Sequence, residues 1–117
     1  MGTFHHPLRL IGPSGDASET VDALVDTGST FTTVPTPVLE RLGVVPHRTV
    51  RLRLADGRIH ERRMGRVQAE LDGIQEEIHC LFGGPDDLPT IGAVTLEIFL
   101  LAVDPVEQRL VATALGA

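Results

Sequence analysis

The run Leu24-Val25-Asp26-Thr27-Gly28-Ser29-Thr30 carries the clearest chemical potential in the chain. Two apolar residues lead straight into a carboxylate, and a small, flexible turn follows. That pattern puts Asp26 at the end of a buried strand, presented by a tight loop. One carboxylate rarely hydrolyses a bond alone. Two can hold a water between them: the ionised one takes the water's proton, and the protonated one polarises the bond under attack. Like charges held that close cannot both ionise, so the pair shares a proton and titrates as a unit. The chain has one copy of the run, so if Asp26 is catalytic the economical source of the second carboxylate is a second copy of the protein.

The neighbours of Asp26 suit the role. Gly28 lets the backbone approach another chain or a ligand where a Cβ would collide. The Thr27 and Ser29 hydroxyls can fix the loop, and Ser29 can donate to the Asp26 carboxylate. The plain alternative is that Asp-Thr-Gly is only a turn, since each residue is at home in one.

Other candidates are weaker. His5 and His6 are adjacent, and on a strand they face opposite ways, a poor chelate; they read as edge or surface histidines. His47, His60 and His79 are scattered, and no metal site is expected. Ser14, Ser18 and Ser29 lack the strand-turn-helix setting of a nucleophilic serine. Gly12-Pro13-Ser14-Gly15 lacks the lysine of a phosphate loop. Arg48, Arg51, Arg53, Arg58, Arg62, Arg63 and Arg66 gather the positive charge in mid-chain. They read as the solvated face of a hairpin, with the binding of acidic peptide as the functional alternative.

The elements that must position Asp26 are short strands separated by turns. Phe4 to Ile11 reads as a strand, Gly12 to Asp16 as a turn, and Thr20 to Val25 as the strand that delivers Asp26. Thr30 to Val34 is β-prone. A short helix follows, with Thr36 as cap, Pro37 in the first position and Gly43 as stop. Val50 to Leu54 alternates as a half-buried strand does. Ala55-Asp56-Gly57-Arg58 is a hairpin tip. Ile59 to Leu71 returns, Asp72-Gly73 turns again, and Ile74 to Phe82 comes back. After the loop at 83–87, Leu88 to Ile91 approaches Gly92, and Ala93 to Phe99 reads as a second short helix. Leu100 to Val103 and Arg109 to Thr113 close the chain.

At 117 residues, 42% of them hydrophobic, the sequence suits one globular domain, 1–117, with a core of Val, Leu, Ile and Ala, since it has four Phe and neither Trp nor Tyr. A formal charge of −6 argues against nucleic acid as a partner. Cys80 is the single cysteine, so no internal disulfide forms; it reads as a buried small hydrophobe and fits a reducing compartment, hence the cytoplasm. No signal peptide is apparent, and no apolar run approaches a membrane span.

In order along the chain, several pieces resemble one family. Leu24-Val25-Asp26-Thr27-Gly28-Ser29 resembles the active-site motif of aspartic proteases. The single copy and short chain resemble the retropepsin-like, retroviral-type branch, in its bacterial and cellular members. Val34 to Gly43 resembles the segment that follows the motif there. Ala55-Asp56-Gly57 resembles the tip of the flap that closes over substrate. Thr90-Ile91-Gly92, with its helix and following strand, resembles the second hydrophobic-Gly element that completes a ψ-shaped arrangement. Together these cover roughly residues 4 to 113.

The resemblance implies an all-β fold, a small closed barrel of the acid-protease type with one or two short helices. It implies a homodimer that cleaves peptide or protein substrates without metal or organic cofactor. Asp26 would be the catalytic acid/base; Thr27 would brace the partner's active-site loop through hydrogen bonds, Gly28 would contact substrate through its backbone, and Ser29 would belong to the same active-site loop. Ala55, Asp56 and Gly57 would lie over substrate, and Ile91 and Gly92 would support the loop. The terminal strand, Arg109 to Leu115, would interleave with the partner's. The sequence departs from the family at the flap, whose tip is charged and not glycine-rich, and at Ala93-Val94-Thr95, where a polar or charged residue is usual. Those departures leave room for a non-catalytic module of the same fold that dimerises or binds peptide.

Overall fold

The computed structural model describes residues 3–114. Its strands are β1 (Phe4–Ile11), β2 (Ser18–Val25), β3 (Thr32–Pro35), β4 (Arg48–Arg53), β5 (Ile59–Leu71), β6 (Ile74–Gly83), β7 (Thr90–Ile91), β8 (Leu101–Asp104) and β9 (Arg109–Ala112). Two short helices interrupt them, α1 (Thr36–Leu42) and α2 (Ala93–Ile98).

Seven strands form one sheet in the order β1-β2-β7-β3-β6-β5-β4, and β1 also pairs with β5. The sheet therefore closes on itself as a ring, with β4 carried outside it on β5. Closure leaves few free edges, and it fits the small all-β fold expected. The centre is aliphatic, as the composition requires: Leu8, Leu10, Val34, Leu39, Ile78 and Ile91 are fully buried. Burying one such side chain contributes about 1.5–3 kcal/mol.

Local chemistry sets the turns. Asp72 and Gly73 both take positive φ, 50° and 79°, the conformation of a two-residue hairpin whose twist matches its strands. Thirteen-residue β5 and ten-residue β6 pair antiparallel across it, from Leu71↔Ile74 to Met64↔Leu81. Helix α1 starts differently from expectation. Pro35 holds the N-cap position, so Thr36 and Pro37 are the first helical residues. The Thr36 hydroxyl donates to the Gly83 carbonyl at 2.8 Å, tying the helix to β6 instead of capping it. Gly43 ends the helix as expected, at φ 80°. Its N–H donates to Glu40 O and that of Val44 to Leu39 O, each at 3.0 Å, which satisfies carbonyls the helix would leave open.

Strand β9 pairs antiparallel with β8, from Leu101↔Ala112 to Asp104↔Arg109, in a separate two-stranded sheet. The terminal strand thus already has one neighbour within its own chain; Leu115, the end of the segment expected to interleave, lies outside the described residues. Among the described residues no helix is long and apolar enough to cross a membrane.

Candidate active site

Asp26 follows the last residue of β2, and β7 fixes where that strand ends. The two pair in parallel, Leu24↔Thr90 and Val25↔Ile91. The backbone continues the ladder past the strand: Leu24 N–H donates to Pro89 O at 2.9 Å and Asp26 N–H to Ile91 O at 3.0 Å. Ile91 is fully buried, so the support for Asp26 is anchored in the core.

The loop then folds back on its own carboxylate. Gly28 N–H donates to Asp26 Oδ1 at 2.9 Å, and the Ser29 hydroxyl donates to Oδ2 at 3.0 Å. Both oxygens therefore have a fixed donor, and the side chain is half-buried with one orientation. A Cβ on Gly28 would stand 3.2 Å from Oδ1. The glycine is needed here for the closeness of the carboxylate; its φ is not in the positive range. Thr27 is exposed and takes no part in these bonds.

Gly92 is the other fixed point. A Cβ there would lie 2.5 Å from the Phe31 carbonyl carbon and 2.9 Å from its nitrogen. Only glycine lets the segment entering α2 pass so close beneath the loop. From there Ala93 N–H donates to Ser29 O at 2.7 Å and Val94 N–H to Thr30 O at 3.0 Å. These two backbone donors open α2 and hold the far side of the loop. Thr95 supplies the remaining polar contact. Its hydroxyl lies 2.6 Å from that of Thr32, and Thr32 Oγ1 accepts the Gly92 N–H at 3.1 Å. The sequence reading missed this buried pair; threonines at a strand start and in a short helix look like ordinary β-formers and surface residues.

The expected flap is the β4–β5 hairpin. Its strands pair from Arg48↔Met64 to Arg53↔Ile59. At the tip, Gly57 takes φ 86°, its N–H donates to Leu54 O at 2.9 Å, and Leu54 N–H donates to Arg58 O at 2.8 Å. Asp56 accepts from the Arg58 N–H at 3.0 Å and from its guanidinium at 2.6 Å. Those bonds hold the Asp56 carboxyl below the usual carboxylate range, the backbone bond foremost.

The tip residues Ala55, Asp56 and Gly57 are exposed. Strand β4 is what meets the Asp26 loop: a recess of about 480 Å³ lies between Gly28, Ser29 and Phe31 on one side and Arg51 to Leu54 on the other. A second recess of about 260 Å³ adjoins it, sharing Thr33, Leu52, Leu54 and Leu81 and bounded by His60, Arg62 and the segment Asp87-Leu88.

The remaining candidates are not gathered here. His6 lies beside Asp72, Nε2 to Oδ1 at 2.9 Å, at the second hairpin. The rings of His47 and His79, distant in sequence, come within 5.5 Å edge to face. Among the described residues no three His, Cys, Asp or Glu side chains are grouped to hold a metal ion.

Residues 13–87 match the family model described as aspartyl protease. That span includes the Asp26 loop, α1 and the β4–β5 hairpin. The chain belongs to the aspartyl protease family. Solved structures of retroviral type share the fold. The solution structure of simian foamy virus (mac) protease is 18% identical with a TM-score of 0.57, over 80% of this chain and 91% of that one. The retroviral protease-like domain of Ddi1 from Leishmania major is 20% identical with a TM-score of 0.59, over 96% and 89%. A foamy viral protease–reverse transcriptase in complex with an RNA/DNA hybrid is 14% identical with a TM-score of 0.58, over 89% of this chain and 14% of that one. No curated protein sequence matches the chain. The retropepsin-like family placement thus rests on the sequence model together with this shared fold.

Proposed function

We propose that this aspartyl protease-family chain is a homodimeric endopeptidase in which Asp26 and Asp26 of a second copy share one proton and one water. The ionised carboxylate removes a proton from the water as its oxygen attacks the scissile carbonyl carbon. The protonated carboxyl donates to the carbonyl oxygen. Proton return to the amide nitrogen then lets the C–N bond break, releasing an acid and an amine. No metal or organic cofactor enters this scheme.

The observation that carries the reading is the half-buried Asp26 carboxylate, with Gly28 N–H on one oxygen and Ser29 Oγ on the other, at the end of a strand anchored by Ile91. A carboxylate so oriented needs little reorganisation before it acts. Thr27, exposed beside it, is free to brace a second copy's loop, and closed two-fold symmetry makes every such contact twice. Substrate would lie extended in the recess under the hairpin, held largely by main-chain hydrogen bonds, with Ala55, Asp56 and Gly57 closing over it. The buried, single Cys80 supports a reducing compartment such as the cytoplasm.

The test is Asp26→Asn. Cleavage of a mixed peptide library should fall to background while the circular dichroism spectrum and sedimentation of the protein stay those of the wild type. Specific activity of the wild type should rise with protein concentration as chains pair, and should be highest at mildly acidic pH, where the pair keeps its proton. A wild type that cleaves nothing, with Asp26→Asn binding the same peptides equally well, would replace this reading by a non-catalytic peptide-binding module.

A further inference from the structure

We propose that the cleft selects peptides carrying Asp or Glu beside the bond to be cut, read by Arg51 and Arg53 on β4; the inference rests on the proteolytic reading above. The charge of the chain is sharply divided. Residues 48–66 hold seven arginines against Asp56 and Glu61, a net of +5, and the rest of the chain carries −11 of the total −6. All ten basic residues are arginine, whose planar fork pairs with carboxylates through two parallel hydrogen bonds where lysine offers a point charge.

Three of the seven hairpin arginines are already engaged, and of the other four (Arg48, Arg51, Arg53 and Arg66) only Arg51 and Arg53 line the recess beside the Asp26 loop. Arg58 is paired with Asp56 at 2.6 Å, Arg62 faces Asp87 at 3.7 Å, and Arg63 lies over the Phe82 ring at 5.0 Å. Arg51 and Arg53 are different. Neither belongs to any ion pair among the described residues. Glu61 stands opposite Arg51 in the ladder without pairing with it. Arg53 reaches only the Gly57 carbonyl, at 3.4 Å. Both are exposed, and both line the recess whose other wall is Gly28 and Ser29, with no carboxylate among its lining residues.

Phe31 also lines the recess, apolar surface suited to the methylene stem of a glutamate, while Leu52 and Leu54, which line it too, alternate to the face opposite the two arginines. Arg51 and Arg53 are two positions apart on one strand and so share a face. An extended peptide repeats on the same period, so its alternate residues meet the two guanidiniums in turn. Phosphate-rich nucleic acid fits less well. The −11 of the remaining chain repels it.

The experiment uses internally quenched peptide pools, randomised except at one position held as Glu, Gln or Lys. With wild-type protein at low salt, kcat/KM for the Glu pool should exceed that for the Gln pool on the order of tenfold, the scale of a charge-assisted hydrogen bond. The Lys pool should be slowest, and added salt should narrow the spread. Arg51→Glu with Arg53→Glu should invert the order. Arg51→Gln and Arg53→Gln, which keep size without charge, should flatten it, and these serve if the reversal variant unfolds below the wild type. Binding of the same pools to Asp26→Asn, read by fluorescence anisotropy, separates the two readings: acidic preference in binding without any wild-type cleavage keeps this inference and defeats the proteolytic one. Equal rates and equal binding for the three pools overturn it. So does tighter binding of single-stranded DNA than of the Glu pool at matched salt.

Discussion

Thr32 Oγ1 lies 2.6 Å from Thr95 Oγ1, and both side chains are buried, at 0% and 1% exposure. This single bond joins β3, the strand after the Asp26 loop, to α2. Thr32 also accepts the Gly92 N–H, so one hydroxyl serves the loop, the glycine and the helix. Buried hydroxyls are expensive to leave unpaired, which makes the pair a sensitive point for both fold and site.

Thr32→Val keeps the shape and removes the hydroxyl, leaving the Gly92 N–H and the Thr95 hydroxyl without partners. A cost of about 1–3 kcal/mol is expected for each group stranded. Thr95→Val strands only one group and should cost less. The double variant should cost less than the two singles added, because neither hydroxyl is then left waiting for the other. Urea unfolding of the four proteins gives the coupling directly; strict additivity would show that the 2.6 Å contact contributes nothing.

The two glycines of the site should fail in different ways. Gly92→Ala places a methyl 2.5 Å from the Phe31 backbone, which cannot swing aside as a side chain can. Overpacking of this kind costs about 1–3 kcal/mol or more, and peptide cleavage should fall along with the unfolding midpoint. Gly28→Ala meets only the Asp26 Oδ1 atom, at 3.2 Å, so stability should change by less than about 1 kcal/mol while turnover falls, because the carboxylate itself must move. Equal stability losses in the two variants would contradict the geometry.

Much of this arrangement was legible in the sequence. Leu24-Val25-Asp26 reads as a strand delivering a carboxylate, and the Asp-Gly pairs at 56–57 and 72–73 announce hairpins because their chemistry is local. The boundaries of β1 and β5 follow from alternation and from Gly and Pro punctuation. What was not legible is long-range. The parallel pairs β2–β7 and β3–β6 have no connecting turn to advertise them. The β1–β5 contact that closes the ring joins segments some 60 residues apart. Thr36 resembled a cap because its type suits one; tertiary contact with Gly83 took its hydroxyl instead. The recess lined by Arg51 and Arg53 needed the hairpin's position over Ser29, which periodicity alone does not give.

Cys80 should be silent until the protein opens. It is fully buried, and burial pushes its thiol up to about 12 against the opposing effect of a backbone hydrogen bond from Gly65. At neutral pH almost no thiolate forms, and the thiolate is the reactive species. Ellman's reagent should leave the native protein unlabelled and label one thiol per chain in denaturant. Prompt labelling of native protein would mean that β6 is not packed as described.

The behaviour of the fold in acid depends partly on an ion pair that braces the strand carrying Asp26. Arg41 of α1 donates two hydrogen bonds to Glu19 of β2, at 2.9 and 2.8 Å. Those bonds, with the attraction of the charge, hold the Glu19 carboxyl below its ordinary value of 4.5. A depressed carboxyl binds fewer protons folded than unfolded, so its stabilisation is complete above 4.5 and disappears as pH falls toward the folded value. His47 acts in the same direction at higher pH. Desolvation, then the charges of Arg66, His79 and Arg48, lowers it from 6.5, so the folded state loses ground as pH falls below 6.5. Glu19→Gln should therefore flatten the loss of unfolding midpoint below about pH 4.5, and His47→Gln should flatten it between that point and 6.5. Both groups are surface-placed, and each effect should shrink with salt. Midpoints measured across pH for the wild type and both variants decide it. If the curves stay parallel, neither group is linked to folding, and Arg41 does not brace the strand that delivers Asp26.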